Sequence, residues 1–388
     1  IMKINTKHFL SVLAVCSMGF FVSCSEDEPA RIVASDTEKV SETGVDGGAY
    51  AGFYVLNEGN MGSNKCTLDY FDYATATYMR NIYAEQNPGV ALELGDTGND
   101  IAVHGGRLYI VLNGSHKVEV LDARTAKRIG QVDISSPRYL AFDGDNVYVS
   151  SFVGDEGSGK DEHGTVVRFD ARSLAVTGKV SVGLQPEEMV VTGGKLYVAN
   201  SGQLSSKYDN TISVIDLASF KMERSIEAAI NMHHLVLDRF GNMWATSRGN
   251  YQDISACLMH ITKDSDGAFG KISTIDFPCT NLALGSKNLY FYGTTYDASW
   301  NATITYDYLE PTATGYTDFE KNFITDGTEK TIMAPYALAV QPSTGAFVIT
   351  DARNYTSSGE LRYYSPAGKL QWTVKTGDIP GHIAFLPK

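Results

Sequence analysis

The chain has 388 residues, 43% hydrophobic and 20% charged, with 37 glycines, 22 tyrosines and 11 prolines; this apolar content suffices for a large core and excludes global disorder. The formal net charge is −13, with no run of Lys and Arg, which argues against general nucleic-acid binding, since that requires cations to replace the counterions of the phosphate backbone. Five irregularly spaced cysteines do not make a disulfide framework.

Lys3 and Lys7 make a positive start, and the apolar run from Phe9 to Val22 follows, broken only by Ser11 and Ser17. The run is short for a membrane span and reads as the core of a signal peptide over residues 1–23. It ends in Phe21-Val22-Ser23-Cys24. That tetrapeptide resembles a bacterial lipobox, with Phe21 where Leu is usual, and the resemblance implies that Cys24 is acylated and becomes the mature N-terminus. A plain secretory signal with an incidental Cys is the alternative. Ser25-Glu26-Asp27-Glu28 resembles the acidic signal that sends Bacteroidota lipoproteins to the outer face of the outer membrane; a solvated linker makes such a run too. Residues 24–50 are expected to be a lipidated polar tether. Removing residues 1–23 leaves 30 basic against 45 acidic side chains, a net charge of −15. Cys66, Cys257 and Cys279 remain, as a Cys257–Cys279 pair with one free thiol or as three buried thiols.

From residue 51 onward one strand phrase recurs: FYVLNEG from Phe53, LYIVLNG from Leu108, VYVSSFVG from Val147, LYVANSG from Leu196, MWATSRG from Met243, LYFYGTT from Leu289 and AFVITDA from Ala346. The starts lie 55, 39, 49, 47, 46 and 57 residues apart, the spacing of propeller blades. Most phrases follow a short apolar strand and a turn, such as Met189-Val190-Val191 before Gly193-Gly194. Alternating strands such as Ile212–Asp216 follow, and a more polar fourth strand closes each unit. The expected fold is all-β: a seven-bladed propeller of four-stranded antiparallel blades over 51–388. Blade one lacks an apolar strand before Phe53, so the C-terminal His382–Leu386 is expected to supply it and close the ring.

LYVANSG followed by NTISVIDLAS resembles the YVTN propeller repeat, and Leu237–Trp244 resembles the related NHL repeat. With the lipobox and the acidic segment, the whole chain looks like the BtuG-type surface lipoproteins that capture cobalamin beside an outer-membrane transporter. The resemblance implies a cell-surface binding protein that takes a corrinoid and passes it to a TonB-dependent transporter, with no catalytic residue, no protein-held metal and no cofactor beyond the ligand itself.

In a propeller, the loops before the first strand and between the second and third strands share one face around the channel mouth. Aligning the apolar triplets places Asp100, Tyr139, Glu188, His234, Asn281, Ala337 and His382 at one equivalent position, preceded by Asn99, Arg138, Glu187, His233, Thr280, Tyr336 and Gly381. The second loop set opens with Asn57-Glu58, Asn113, Phe152, Asn200-Ser201, Arg248, Tyr296 with Trp300, and Arg353 with Tyr355. The candidate ligand-binding set is Asn57, Glu58, Asn113, Arg138, Tyr139, Phe152, Glu187, Asn200, His234, Arg248, Tyr296, Tyr336, Arg353 and His382. Its amides, guanidiniums and rings suit a large polar ligand held by hydrogen bonds and flat contacts. Polar loops of ordinary turn chemistry are the plain alternative.

Adjacent strand residues point to opposite sides, so His233 and His234 are not expected to share an ion. Asp209-Asn210 and Asp161-Glu162-His163 read as solvated turns lacking calcium-loop spacing, and Asp155–Lys160 as a flexible insertion. Glu58, Asn113, Asn200 and Asp351 are the residues a lactonase-like metal hydrolase would have to converge. That reading, and a surface adhesion protein, are the alternatives to a binding protein.

Overall fold

The computed structural model describes residues 32–388 except 91–92, 153–162, 297–298 and 300–301. The signal peptide, Cys24, the acidic run, the 155–160 insertion, Asp161, Glu162 and Trp300 lie outside the described residues.

Seven antiparallel sheets form the blades. Blade two is representative: Gly98–His104, Arg107–Leu112, Lys117–Asp122 and Arg128–Asp133 pair in chain order. The inner strands of the seven blades are Pro380–Pro387, Gly98–His104, Pro137–Asp143, Pro186–Thr192, Met232–Leu237, Cys279–Leu284 and Pro335–Val340. Each touches the inner strands of both neighbours, which closes a ring of seven.

The repeated phrases are second strands, and their near-continuous apolar character has a simple cause. In Arg107–Leu112, the side chains of Leu108, Ile110 and Leu112 pack against blade one, while Tyr109 and Val111 pack against blade three. Alternation still has period two, but both faces are buried. Seven hydrophobic clusters result, one at each interface between blades. Outer strands have one wet face, so Arg128–Asp133 is mostly exposed or half-buried.

The turns explain the repeat signature. Gly105-Gly106 and Gly193-Gly194 have positive φ at both residues, the backbone a two-residue hairpin needs between inner and second strands. Asp122, Asp170 and Asp216 end third strands, and each carboxylate accepts the backbone N–H three residues on, at 2.9, 2.7 and 2.8 Å. This side-chain turn redirects the chain into the fourth strand. In the NHL-like phrase, buried Asp238 accepts from the Phe240 and Asn242 backbone and from Trp244 Nε1 at 3.0 Å.

The C-terminus closes the ring as expected: Phe53 pairs with Phe385, Val55 with Ile383 and Leu56 with His382. An aromatic stack lies at this seam, with Tyr363 and Trp372 parallel at 4.7 Å and Phe71 4.7 Å from Trp372. The segment expected as tether is packed from residue 32 on. Ile32 is buried beside blades one and two, and Thr37–Lys39 adds a fifth strand to blade one through Thr77–Met79. Its short polar sequence covers an edge that would otherwise stay unpaired. Cys66, Cys257 and Cys279 are free thiols.

Candidate functional site

Every inner strand begins with a break in register. The pairing skips at Gly98/Asp100, Pro137/Leu140, Pro186/Met189, Met232/Leu235, Cys279/Asn281, Pro335/Leu338 and Pro380/His382. Such bulges re-aim side chains. Proline opens four of these strands, tolerated because a first residue need not donate to the ladder. Strict alternation therefore fails where it matters, and consecutive residues reach one cavity: Arg138 with Tyr139, His233 with His234, and Thr280 with Asn281. The expectation that His233 and His234 point apart is corrected by this bulge; their rings lie 3.9 Å apart.

The cavity at the mouth has a volume of about 1080 Å³. One wall, from blades two to five, is polar. Its centre is Glu187, fully buried behind the surface. Arg138 Nε and Nη2 donate to Glu187 Oε2 at 3.1 and 2.9 Å, and Arg138 Nη1 donates to Asn99 Oδ1. Arg248 Nη1 donates to Glu187 Oε1 and to Gln203 Oε1, both at 3.0 Å. The Arg138 guanidinium also lies 4.5 Å over the Phe152 ring. Glu187 thus fixes two guanidiniums at the wall with charge-assisted bonds.

The other wall, from blades five to seven, carries the exposed apolar side chains, with Arg353 among them. Tyr251, Ile254, Tyr296, Met333 and Tyr355 line the cavity while 66, 49, 61, 67 and 45% accessible. Its organiser is Asp351, 1% accessible. Asp351 Oδ2 accepts the Met333 N–H at 2.9 Å, and Oδ1 accepts the Ala334 and Arg353 N–H at 2.9 and 2.8 Å. One carboxylate thereby ties together the two blade-seven loops that carry Met333 and Tyr355.

Between the walls, titratable groups line the axis. Tyr336 Oη donates to Glu58 Oε2 at 3.0 Å, and His382 Nε2 bonds Glu58 Oε1 at 3.1 Å. Burial pulls the His382 pKa down, but the bond to Glu58 and the charges of Glu58 and Asp100 leave it above the usual histidine range. Burial, with Arg248, His234 and Arg138 adding repulsion, holds His233 well below that range, so it stays neutral and shares a 2.8 Å bond with Tyr139 Oη. Burial lifts Asp100 to about 6. Asp100 and Glu188 accept the Leu140 and Leu235 backbone N–H, at 2.8 and 2.7 Å, and Glu188 also bonds His234 Nδ1.

Of the residues singled out by sequence, the structure gathers Glu58, Arg138, Tyr139, His234, Arg248, Tyr296, Tyr336, Arg353 and His382 at the cavity. Five stand behind it. Glu187 and Phe152 support Arg138. Asn57 donates to Thr67, Asn113 to the Pro137 carbonyl, and Asn200 to Thr211 and Ser213; they brace strand ends. Of Glu58, Asn113, Asn200 and Asp351, only Glu58 lines the cavity, so the proposed hydrolase set does not converge. Among the described residues, no group of three His, Cys, Asp or Glu is arranged to hold a metal ion. Asp209 accepts from the Leu184 and Thr211 backbone, a structural turn. Sequence reasoning missed Tyr251, Ile254 and Met333. Their signal is large apolar residues in loops flanking the face, which no repeat alignment ranks.

The family described as "Domain of unknown function (DUF5074)" matches residues 51–369. No curated protein matches the chain. Among solved structures, hydrazine synthase from Kuenenia stuttgartiensis is similar with TM-score 0.58 and 19% identity, over 74% of this chain and 89% of that one. A quinonprotein alcohol dehydrogenase-like protein from Bacteroides thetaiotaomicron gives TM-score 0.54 and 16% identity, over 87% and 78%. A chain of the mitotic checkpoint complex gives 0.51 and 12%, over 93% and 99%. Likeness at these identities shows the propeller fold alone.

Proposed function

The chain belongs to the DUF5074 family, whose description carries no function, and from its cavity we propose that it captures a large ring-bearing, amide-rich small molecule, a corrinoid such as cobalamin. The observation that carries this reading is the joining, around one cavity of about 1080 Å³, of fixed guanidiniums and exposed aromatic rings. A corrinoid offers a broad ring, many peripheral amides and one phosphate, matched by ring contacts and charge-assisted donors. The guanidiniums are fixed beside strand ends by Glu187, and Asp351 ties down the loops of Met333 and Tyr355, so less ordering entropy is lost on binding, which favours affinity.

Placement belongs to the same proposal. Cys24 anchors the protein by lipid in the outer membrane, Ser25–Glu28 directs it to the cell surface, and the bound corrinoid passes to a TonB-dependent outer-membrane transporter. The sequence FVSC followed by SEDE supports this placement. Calorimetric titration of the mature protein with cobalamin and with cobinamide tests the ligand. Measurable binding that survives a chelator is expected, and no heat for either compound would overturn the reading. Surface display is tested by protease added to whole cells. Replacing Glu26, Asp27 and Glu28 by Ala should protect the protein while leaving it membrane-bound.

A further inference from the structure

The two walls differ in what they leave available. Arg138 commits Nε, Nη1 and Nη2 to Glu187 and Asn99. Arg248 commits only Nη1, to Glu187 and Gln203. Its Nε–H and Nη2–H donors have no partner among the described residues, and its side chain lines the cavity at 19% accessibility. On blades six and seven stand the exposed Tyr296, Met333 and Tyr355; Arg353 beside them is 41% accessible and paired with Glu360, so water screens its charge more than that of Arg248.

A guanidinium with unused donors in a partly desolvated wall favours an acceptor that carries charge. The carboxylates nearby do not cancel this preference at that point. Glu187 is one carboxylate shared between two guanidiniums, Glu58 is engaged by Tyr336 and His382, and Asp100 and Glu188 are turned to backbone N–H groups of neighbouring blades. Exposed apolar side chains concentrated on the other wall mark where a ligand's apolar face belongs.

We infer that the mouth is an oriented, two-part site for an amphiphilic anion: a flat apolar body lies on the Tyr296–Met333–Tyr355 wall, and a phosphate, sulfonate or carboxylate on that body meets Arg248 Nε and Nη2. This rests on the capture reading for the location of the site, and on its own observation for the orientation and charge. In a corrinoid the phosphate is the group that meets Arg248.

Two dyes sharing one ring body separate the parts: anilinonaphthalene sulfonate, which is anionic, and phenylnaphthylamine, which lacks the sulfonate. In fluorescence titrations of the mature protein, the sulfonate should bind about tenfold more tightly, the size expected of one charge-assisted contact. Arg248→Ala should remove that preference and leave phenylnaphthylamine binding unchanged. Arg248→Gln, which keeps an amide near Glu187, serves if the alanine variant does not fold. Met333→Ala with Tyr355→Ala should weaken both dyes alike, by tenfold or more. Equal binding of the two dyes, a sulfonate preference that survives loss of Arg248, or no binding of either dye would overturn the inference. The capture reading fails separately: dye discrimination with no heat on adding cobalamin would leave the oriented site standing and remove the corrinoid.

Discussion

The two walls of the mouth are each built on a buried carboxylate, and they use it in opposite ways. Glu187 binds side chains, holding Arg138 and Arg248 as a charged surface. Asp351 binds backbone, pinning the Met333, Ala334 and Arg353 N–H groups so that apolar side chains stand in water. The difference teaches where each wall's chemistry resides. On the polar wall the carboxylate sets the charge of the surface itself. On the apolar wall it is invisible to a ligand and sets only the loop conformation, which includes the left-handed φ of 53° at Arg353 and 61° at Tyr355.

The largest test removes the frame both walls share. A chain ending at Gly381 loses the strand that pairs with Tyr50–Asn57, opens the seam and exposes the blade faces beside it. Because blades stabilise one another mainly at their interfaces, the cooperative thermal transition seen by circular dichroism should disappear. A melting curve like that of the full chain would show that ring closure does not hold the walls.

The next tests remove one organiser at a time. Asp351→Ala leaves three part-buried backbone donors without their acceptor; a fully buried unmet donor costs about 1–3 kcal/mol, and partial access to water here places the expected loss in denaturant unfolding at about 2–3 kcal/mol in all. Glu187→Ala leaves two guanidiniums close together at 17 and 19% accessibility. Breaking a fully buried pair costs about 3–5 kcal/mol; the residual exposure here places the expected loss nearer 2 kcal/mol. Measured against sulfate's general stabilisation of the parent, sulfate should recover more of the Glu187→Ala loss, where two guanidiniums await an anion, than of the Asp351→Ala loss. Equal recovery in both would erase the distinction between the walls.

Ligand affinity sharpens the contrast further. Arg248→Ala should weaken cobalamin binding by about tenfold to a hundredfold, the worth of a charged donor, with a smaller loss of stability, about 1 kcal/mol, because buried Glu187 keeps Arg138 but loses the partner of its Oε1. Arg138→Ala should show the reverse balance, costing stability more than affinity, because its donors are spent inside the wall. Calorimetry beside denaturant melts separates the two.

The smallest effect is a pH dependence at the axis. Asp100 has its folded pKa raised to about 6, by burial above all, so its contribution to stability is complete below the ordinary carboxylate range and is lost as pH rises from about 4 to 6. His382 is also raised, so its contribution is complete below the usual histidine range and is lost at higher pH. Asp100→Asn should flatten the stability profile between pH 4 and 6 and leave the part due to His382 above that window. A profile unchanged by Asp100→Asn would contradict this assignment.

The fold was legible because its cause is local and repeated. Seven second-strand phrases with both faces apolar, Gly-Gly hairpins and Asp turns each announce a blade, and the missing first strand of blade one pointed to His382–Leu386. The start of the propeller was less legible: Thr37–Lys39 is short and polar, and only its partner Thr77–Met79 makes it a strand. The mouth was legible in part. Aligning the triplets located Arg138, Tyr139, His234 and His382, because equivalent blade positions converge on the axis of a closed ring.

What the sequence by itself determined is therefore periodic: blade number, strand order, ring closure and the set of positions that face the mouth, all consequences of patterns that recur within a few residues. What only the tertiary structure decided is which of those side chains a ligand meets. Asn57, Asn113 and Asn200 look alike in sequence to residues at the cavity, yet brace strand ends. Glu187 withdraws behind two arginines contributed by other blades, and His233 joins His234 through a bulge. For Arg248 the partners Gln203 and Glu187 lie 45 and 61 residues away, and a hydrogen bond across blades leaves no mark in the local pattern of either residue.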